Sequence, residues 1–359
     1  MIDELQNLYN DKKILAPLVG GSDLSFRLLC RKYGAQVTFT EMCIAEYYLM
    51  ALEEMDNKKK LKGYTFEFEE SDRPLILQLA GNTAQPIIKL ANHQMFKGHI
   101  DGVDLNCGCP QSFAMEKGYG AGMLNDAQNL IQVCSEIVQN ISYPLSVKLR
   151  IYQDVPTTIN IMKQLRDVGV KAFTVHGREW WQKGDKRGHN DWNAIRQIKE
   201  ELPDVWIIGN GDIYKHEDFQ KFKDLSGVHS LMSGYGALTS PWIFSLSPTA
   251  ETLNQTLADC LNTYLQIASQ HHNKWIDVLR HTGWMLKKHI PLSPELVKQF
   301  RTKLYECKNM EDVRALLGTL TPAIVISVPE GEHVICYPSN NIAYGKKRRV
   351  KKKEEKDIL

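Results

Sequence analysis

The chain has 359 residues, 43% of them hydrophobic and 24% charged, with a formal net charge of +2. That length holds one large domain and a smaller one, and the composition is that of a soluble globular protein, not a disordered, collagenous or disulfide-built chain. The acid-bearing start Met1–Asn7 does not read as a secretory signal, and no apolar run approaches the roughly 18 residues of a membrane span. The eight cysteines are scattered from Cys30 to Cys336, which suits a reducing compartment. Cys107 and Cys109 have no second Cys or His pair at finger spacing, so a metal site is not expected.

In chain order, segments of strand character alternate with helical ones. Ile14–Val19 comes first, followed by a helix over Asp23–Tyr33, then Val37–Thr40, Leu75–Leu79 and the run 102–106. A helix over about 126–140 precedes Leu145–Lys148; Ala172–His176, Val205–Gly209 and Ser230–Ser233 complete eight strand candidates. Eight alternations over this length predict a (β/α)8 TIM barrel. The rival, an open doubly wound sheet, lacks a G-x-G-x-x-G after its first strand.

The run 102–106 breaks at Gly108 and Pro110, which puts Cys109 on a loop at the C-terminal end of a strand, where such barrels keep their chemistry. On its own, Cys109 reads equally as a reactive thiol or as a buried inert one. Gln78, Asn106, Lys148, His176 and Asn210 all fall at predicted strand ends, and five side chains there converge on one mouth. Gly209–Asp212 and Ser233–Gly236 follow strands seven and eight, the loops where barrels bind phosphate through backbone N–H groups. A Lys, a His and a loop Cys over such a cradle suggest a flavin mononucleotide enzyme.

From about residue 250 the pattern turns helical: Leu253–Ala268, Trp275–Lys288, Pro294–Leu304 and Glu311–Leu317. The expected organisation is a barrel over 1–248, a helical domain over 249–320 and an extended segment over 321–359. The helical part is rich in Lys and Arg, which fits a polynucleotide surface or an ordinary solvated face equally well. Residues 346–359 hold eight Lys/Arg against three Asp/Glu, net +5, which leaves −3 for residues 1–345. That tail should be disordered, and suits non-specific RNA binding or nuclear import of an otherwise cytoplasmic protein.

The motifs Leu15–Val19, Asp104–Gln111, Val147–Arg150, Thr174–Arg178 and Gly209–Asp212 together resemble the tRNA-dihydrouridine synthases, in the eukaryotic branch that acts on the D-loop. The similarity runs from about residue 13 to 320. It implies an FMN-binding barrel followed by a helical domain that grips tRNA, with hydride passing from NADPH to FMN and on to C6 of a uracil while Cys109 protonates C5. The family's flavin contacts fall on Pro17, Leu18, Val19, Gln78, Lys148, His176, Asn210, Gly211, Asp212, Gly234 and Tyr235. Leu18 stands where many members carry Met, and Tyr235 where many carry Arg. Trp180 and Trp181 replace residues that are usually polar, and either stack on an RNA base or pack on the rim.

Such an enzyme must take a stacked base out of tRNA, and Asn106 and Arg178 are the groups assigned to the uracil edge. A thiol, protonated at neutral pH, suits the proton donor opposite the hydride face. Cys107 reads as a packing residue. The expected partner is tRNA, with no membrane, no metal and a monomeric chain. The alternatives are a flavin reductase of a small pyrimidine and a catalytically idle tRNA-binding protein.

Overall fold

The computed structural model describes residues 2–56, 66–182, 188–271, 274–289 and 294–318. Among the described residues nine parallel strands are interspersed with helices: β1 (Lys13–Leu15), β2 (Thr38–Phe39), β3 (Cys43–Ile44), β4 (Leu75–Ala80), β5 (Gly102–Cys107), β6 (Leu145–Ile151), β7 (Ala172–Glu179), β8 (Trp206–Asn210) and β9 (Ser230–Ser233). The ladder runs β2-β4-β5-β6-β7-β8-β9-β1. A parallel bridge between Ile14 and Val37 and the 3.0 Å bond from Leu15 N to Val37 O bring its ends together. The result is a TIM barrel.

One departure from the eight expected strands is that β2 and β3 lie end to end along β4, against Leu75–Ile76 and Leu79–Ala80 respectively. They are one barrel stave broken at Thr40–Met42. The first stave is also shorter than expected, because Ala16–Ser22 leave the sheet as a loop on the mouth. Pro17 has no N–H to give a ladder, which is a reason for the strand to stop there.

The helices before the C-terminal region are α1 (Ile2–Tyr9), α2 (Leu24–Lys32), α3 (Ala45–Asp56), α4 (Ala84–Ala91), α5 (Ser112–Glu116), α6 (Ala127–Asn140), α7 (Val155–Asp167), α8 (Trp192–Glu201), α9 (His216–Ser226) and α10 (Tyr235–Thr239). Four of them start on an aspartate whose carboxylate accepts an N–H of the first turn: Asp23, Asp126, Asp154 and Asp191. Each such cap contributes about 1 kcal/mol.

Strand side chains alternate between two cores. Leu75, Leu77, Val103, Leu105, Cys107, Val147, Leu149 and Val175 face the outer helices, so Cys107 is fully buried packing. Ile14, Phe39, Ile76, Ala172, Ile208 and Met232 fill the inside, where Leu5, Leu8 and Tyr9 of α1 join them. An apolar floor of this kind leaves the other end of the barrel to carry polar chemistry.

Beyond the barrel lie α11 (Leu253–Gln270), α12 (Trp275–His289), α13 (Pro294–Glu306) and α14 (Met310–Gly318). They do not stand apart: the His281 ring of α12 stacks on Phe26 of α2 at 4.4 Å, and its Nε2 meets Asp23 Oδ2 at 2.5 Å. Cys260 of α11 and Met285 of α12 touch at 3.8 Å. The basic tail and the expected 321–359 segment lie outside the described residues.

The β8–β9 edge carries a pH-sensitive contact. His229 Nδ1 accepts the Ile207 N–H at 3.0 Å, and the ring sits against Trp206. Burial, followed by the charge of Lys199, pushes its pKa down to about 4. A histidine whose folded value lies below its unfolded value of about 6.5 stabilises the fold above pH 6.5 and loses that contribution as pH falls towards 4. His229→Asn, which retains an acceptor, should therefore lose less melting temperature than the wild type between pH 7.5 and pH 5. Equal losses in both proteins would show that the ring charges within the fold.

Candidate active site

The site follows from the inward-facing period of the strands. Above the apolar floor comes a polar layer of Gln78, Asp104, Ser146 and Thr174, all buried. One step nearer the mouth are Asn106 and Lys148, paired in register across β5 and β6. His176 and Asn210 are paired across β7 and β8. Gln78 is therefore not level with the other four expected residues but one layer below Asn106. It donates through Nε2 to Asp104 at 2.8 Å and accepts through Oε1 from Asn106 at 2.9 Å.

Cys109 is half-buried on the loop after β5. Its N–H donates to Asn106 Oδ1 at 3.0 Å, and its carbonyl accepts from Ala121 N at 3.0 Å. Gly120, at φ +57°, crosses so close that a Cβ there would lie 2.7 Å from the Cys109 oxygen. A side chain at 120 would displace the thiol loop. Arg150 pins the same loop, donating from Nε to Gly108 O at 2.9 Å and from Nη1 to Glu179 O at 3.2 Å.

Lys148 Nζ donates to Asn210 Oδ1 at 2.9 Å, and Asn210 Nδ2 donates to Met232 O at 2.9 Å. The carbonyl of Met232 thus fixes which end of the Asn210 amide meets the lysine. Burial and then the nearby Arg150 charge lower the Lys148 pKa, against the attraction of Asp104 and Cys109. Burial raises the pKa of Asp104, against its hydrogen bonds from Ser146 and Gln78 and the charge of Lys148.

Arg178 is engaged by groups of the chain itself. Its Nη2 donates to both Asp212 oxygens at 2.6 and 2.7 Å and to Gly188 O at 3.0 Å, and its Nη1 meets His176 Nε2 at 3.1 Å. A guanidinium can only donate, so Nε2 accepts and the proton of the neutral His176 ring sits on Nδ1. The Asp212 carboxylate also takes the Tyr214 hydroxyl at 2.7 Å and the Asn190 N–H at 2.8 Å. Burial would raise its pKa, but these bonds and the Arg178 charge hold it below the usual carboxylate range. An anion so committed braces its loop and would repel a phosphate, so any phosphate contact there belongs to backbone N–H groups.

The two glycine loops lie side by side, with Ser233 Oγ donating to Ile213 O at 3.1 Å. Gly211 stands at φ +114°, and a Cβ on Gly236 would come within 2.0 Å of Ile213 O. Only glycine allows this approach. Leu18 and Ala16 border Gly234 at 3.5 and 3.3 Å from its Cβ position, which brings Pro17–Val19 to the same rim. The 16–22 loop is held by Leu18 N donating to Ser22 Oγ at 2.8 Å. Trp180 and Trp181 are 38% and 45% exposed, so neither is packed away on the rim. Trp181 Nε1 is tied to Glu179 Oε2 at 2.6 Å.

Sequence reasoning passed over Asp104, Ser146 and Arg150 as site residues. Two-residue periodicity from Asn106 and Lys148 points each of them inward.

The candidate active site is thus a polar ring at the C-terminal mouth of a parallel barrel, with two glycine loops beside it and a tethered thiol above. The chain belongs to the dihydrouridine synthase family, an oxidoreductase family whose model matches residues 14–323. It is similar to a tRNA-dihydrouridine(16/17) synthase of Saccharomyces cerevisiae, 31% identical over 262 residues, 72% of this chain and 60% of that protein. The counterpart in Schizosaccharomyces pombe is 32% identical over 260 residues, 71% of this chain and 63% of that one. A human tRNA-dihydrouridine(20a/20b) synthase-like protein is 28% identical over 279 residues, 77% of this chain and 82% of that one. The chain thus spans less than two thirds of either yeast relative. Among the described residues no helix is long and apolar enough to cross a membrane, and no three His, Cys, Asp or Glu could hold a metal.

Proposed function

We propose that the protein reduces the C5–C6 double bond of a D-loop uridine in tRNA to 5,6-dihydrouridine, with FMN held at the barrel mouth and NADPH as the reductant. The observation that carries the reading is the half-buried Cys109 thiol, tethered through Asn106 to the ring that Lys148, His176 and Asn210 complete. The residues fit the cofactor: Lys148 supplies a cation, Gln78 a buried amide, and Gly211 and Gly234–Gly236 a backbone surface for phosphate. When bound, FMN supplies hydride transfer from NADPH to the uracil.

Each residue then has a chemical task. Both lone pairs of Asn106 Oδ1 are taken by the Gly108 and Cys109 N–H groups. Its side chain can therefore offer a base only an N–H, which suits a uracil carbonyl. Lys148 spends one N–H on Asn210 and retains two for a ligand oxygen. Cys109 gives its proton to C5 as hydride reaches C6, and the resulting thiolate recovers a proton from solvent. The net change is uridine, NADPH and a proton going to dihydrouridine and NADP+. The exposed rings of Trp180 and Trp181 on the mouth suit stacking on an unpaired base.

Lys148→Ala or Asn210→Ala should weaken flavin binding by about ten- to a hundredfold, the value of a hydrogen bond to a charged group. Flavin absorbance per purified protein measures this, and full occupancy in both variants would remove Lys148 and Asn210 from the flavin site. NADPH oxidation that needs tRNA and ignores free uridine separates this activity from a small-pyrimidine reductase. A protein that binds tRNA but oxidises no NADPH would be idle.

A further inference from the structure

Asp104 lies fully buried inside the barrel, one inward position below Asn106 on β5. One carboxylate oxygen accepts from Ser146 Oγ at 2.7 Å and the other from Gln78 Nε2 at 2.8 Å. Gln78 Oε1 accepts from Asn106 Nδ2 at 2.9 Å, and Asn106 Oδ1 accepts from the N–H groups of Gly108 at 3.2 Å and Cys109 at 3.0 Å. A continuous line of hydrogen bonds thus runs from Ser146 to the backbone of the thiol-bearing residue.

Both ends fix its direction. The Asp104 oxygen facing Gln78 accepts, and a proton on the oxygen facing Ser146 would leave that unchanged. At the outer end the backbone N–H groups can only donate, so Asn106 must show them its oxygen. The two amides between satisfy both ends in one orientation. Turning either of them sets donor against donor or acceptor against acceptor in a buried site, which costs far more than a hydrogen bond contributes.

We propose that Asp104 is a positioning residue for Cys109: it fixes the Gln78 amide, and through it Asn106, and so sets the seat of the Gly108–Cys109 loop. The effect on turnover rests on the proposed role of Cys109 as the acid, whereas the effect on the loop does not. Displacing a reacting group by about 1 Å costs on the order of a hundredfold in rate.

The test compares Asp104→Leu with Asp104→Asn in the protein as purified. The amide of the second variant can show its oxygen to Gln78 and its NH2 to Ser146 Oγ, which then turns its hydrogen towards Val103 O, 3.5 Å away. Iodoacetamide alkylation of Cys109, read by peptide mass spectrometry, reports the loop, and tRNA reduction reports the chemistry. Asp104→Leu should alkylate about tenfold faster, the factor of one lost buried hydrogen bond, and turn over roughly a hundredfold more slowly. Asp104→Asn should stay within about threefold of wild type on both measures, because the acceptor facing Gln78 is retained. A purely structural Asp104 would instead lower the melting temperature of Asp104→Leu while Cys109 alkylates at the wild-type rate at 25 °C, and that result overturns the proposal. If Asp104→Leu does not fold, Gln78→Met cuts the same line one bond further out, and wild-type alkylation there overturns it equally. Faster alkylation with unchanged turnover would uphold the positioning of the loop and sink the reading of Cys109 as the acid.

Discussion

Cys109→Ala should lower dihydrouridine formation by roughly 10²–10⁴-fold, the range that a positioned general acid contributes. Flavin content, reduction of the flavin by NADPH and tRNA affinity should stay close to wild type. The reason is geometric: the thiol belongs to the loop above the ring, whereas Lys148, Asn210 and the glycine loops lie on β6, β8 and β9. Only the step that gives C5 its proton should feel the loss. Cys107→Ala is the control, because Cys107 faces the outer core and is fully buried. It should lower stability by about 1 kcal/mol, as a typical substitution does, and leave the chemistry in place. An inactive Cys107→Ala beside a normal Cys109→Ala would put the acid on the wrong residue. Single-turnover reduction of tRNA by pre-reduced enzyme, set against flavin reduction by NADPH, isolates the step.

The barrel was legible because segments of strand character and helical stretches alternate strongly along the chain. The broken second stave was not, since Thr40–Met42 carry no turn residue and the two pieces pair separately along β4. Asn106, Lys148, His176 and Asn210 were readable as strand-end polar residues. Several of their partners were hidden, because bonds between staves, such as Lys148 to Asn210 and Asn210 to Met232, join residues far apart in the chain. Arg178 shows the consequence. As a cation at a strand end it looked free for substrate, yet Asp212, 34 residues on, engages it. Asp104 illustrates the reverse case, an acid that reads as a stray polar residue in an apolar run until Gln78 and Ser146 are placed beside it. Trp180 and Trp181 could not be assigned from residue type, and their exposure settles only that the rim does not bury them.

Asp72→Ala should cost roughly 3–5 kcal/mol of folding stability, the penalty for breaking a buried ion pair by removing one partner. Asp72 is fully buried and accepts from Arg27 Nε at 2.7 Å, Arg31 Nε at 3.0 Å and Thr38 Oγ1 at 2.9 Å. Arg27 is itself 3% exposed, so the substitution strands a guanidinium away from water. Its remaining bonds, to Ser22 O at 2.6 Å and Glu67 O at 3.0 Å, are to neutral carbonyls and do not balance the charge. Arg31 donates from Nη2 to Asp72 O at 2.9 Å, Pro74 O at 2.6 Å and Thr38 Oγ1 at 3.0 Å. The cluster thus ties α2 to the β2 stave and to the entry of β4. It also reaches the mouth, because Ser22 Oγ is the group that holds Leu18 N. Asp72→Asn retains the shape and an acceptor, so it should cost about 1.5–3 kcal/mol, the share of the charge-assisted bonds. Arg27→Met together with Asp72→Leu should be milder than Asp72→Ala, since no charge is left at the buried Arg27 position. Equilibrium unfolding in urea ranks the three. If Asp72→Ala lies within about 1 kcal/mol of wild type, water reaches Arg27 and the cluster behaves as a surface ion pair.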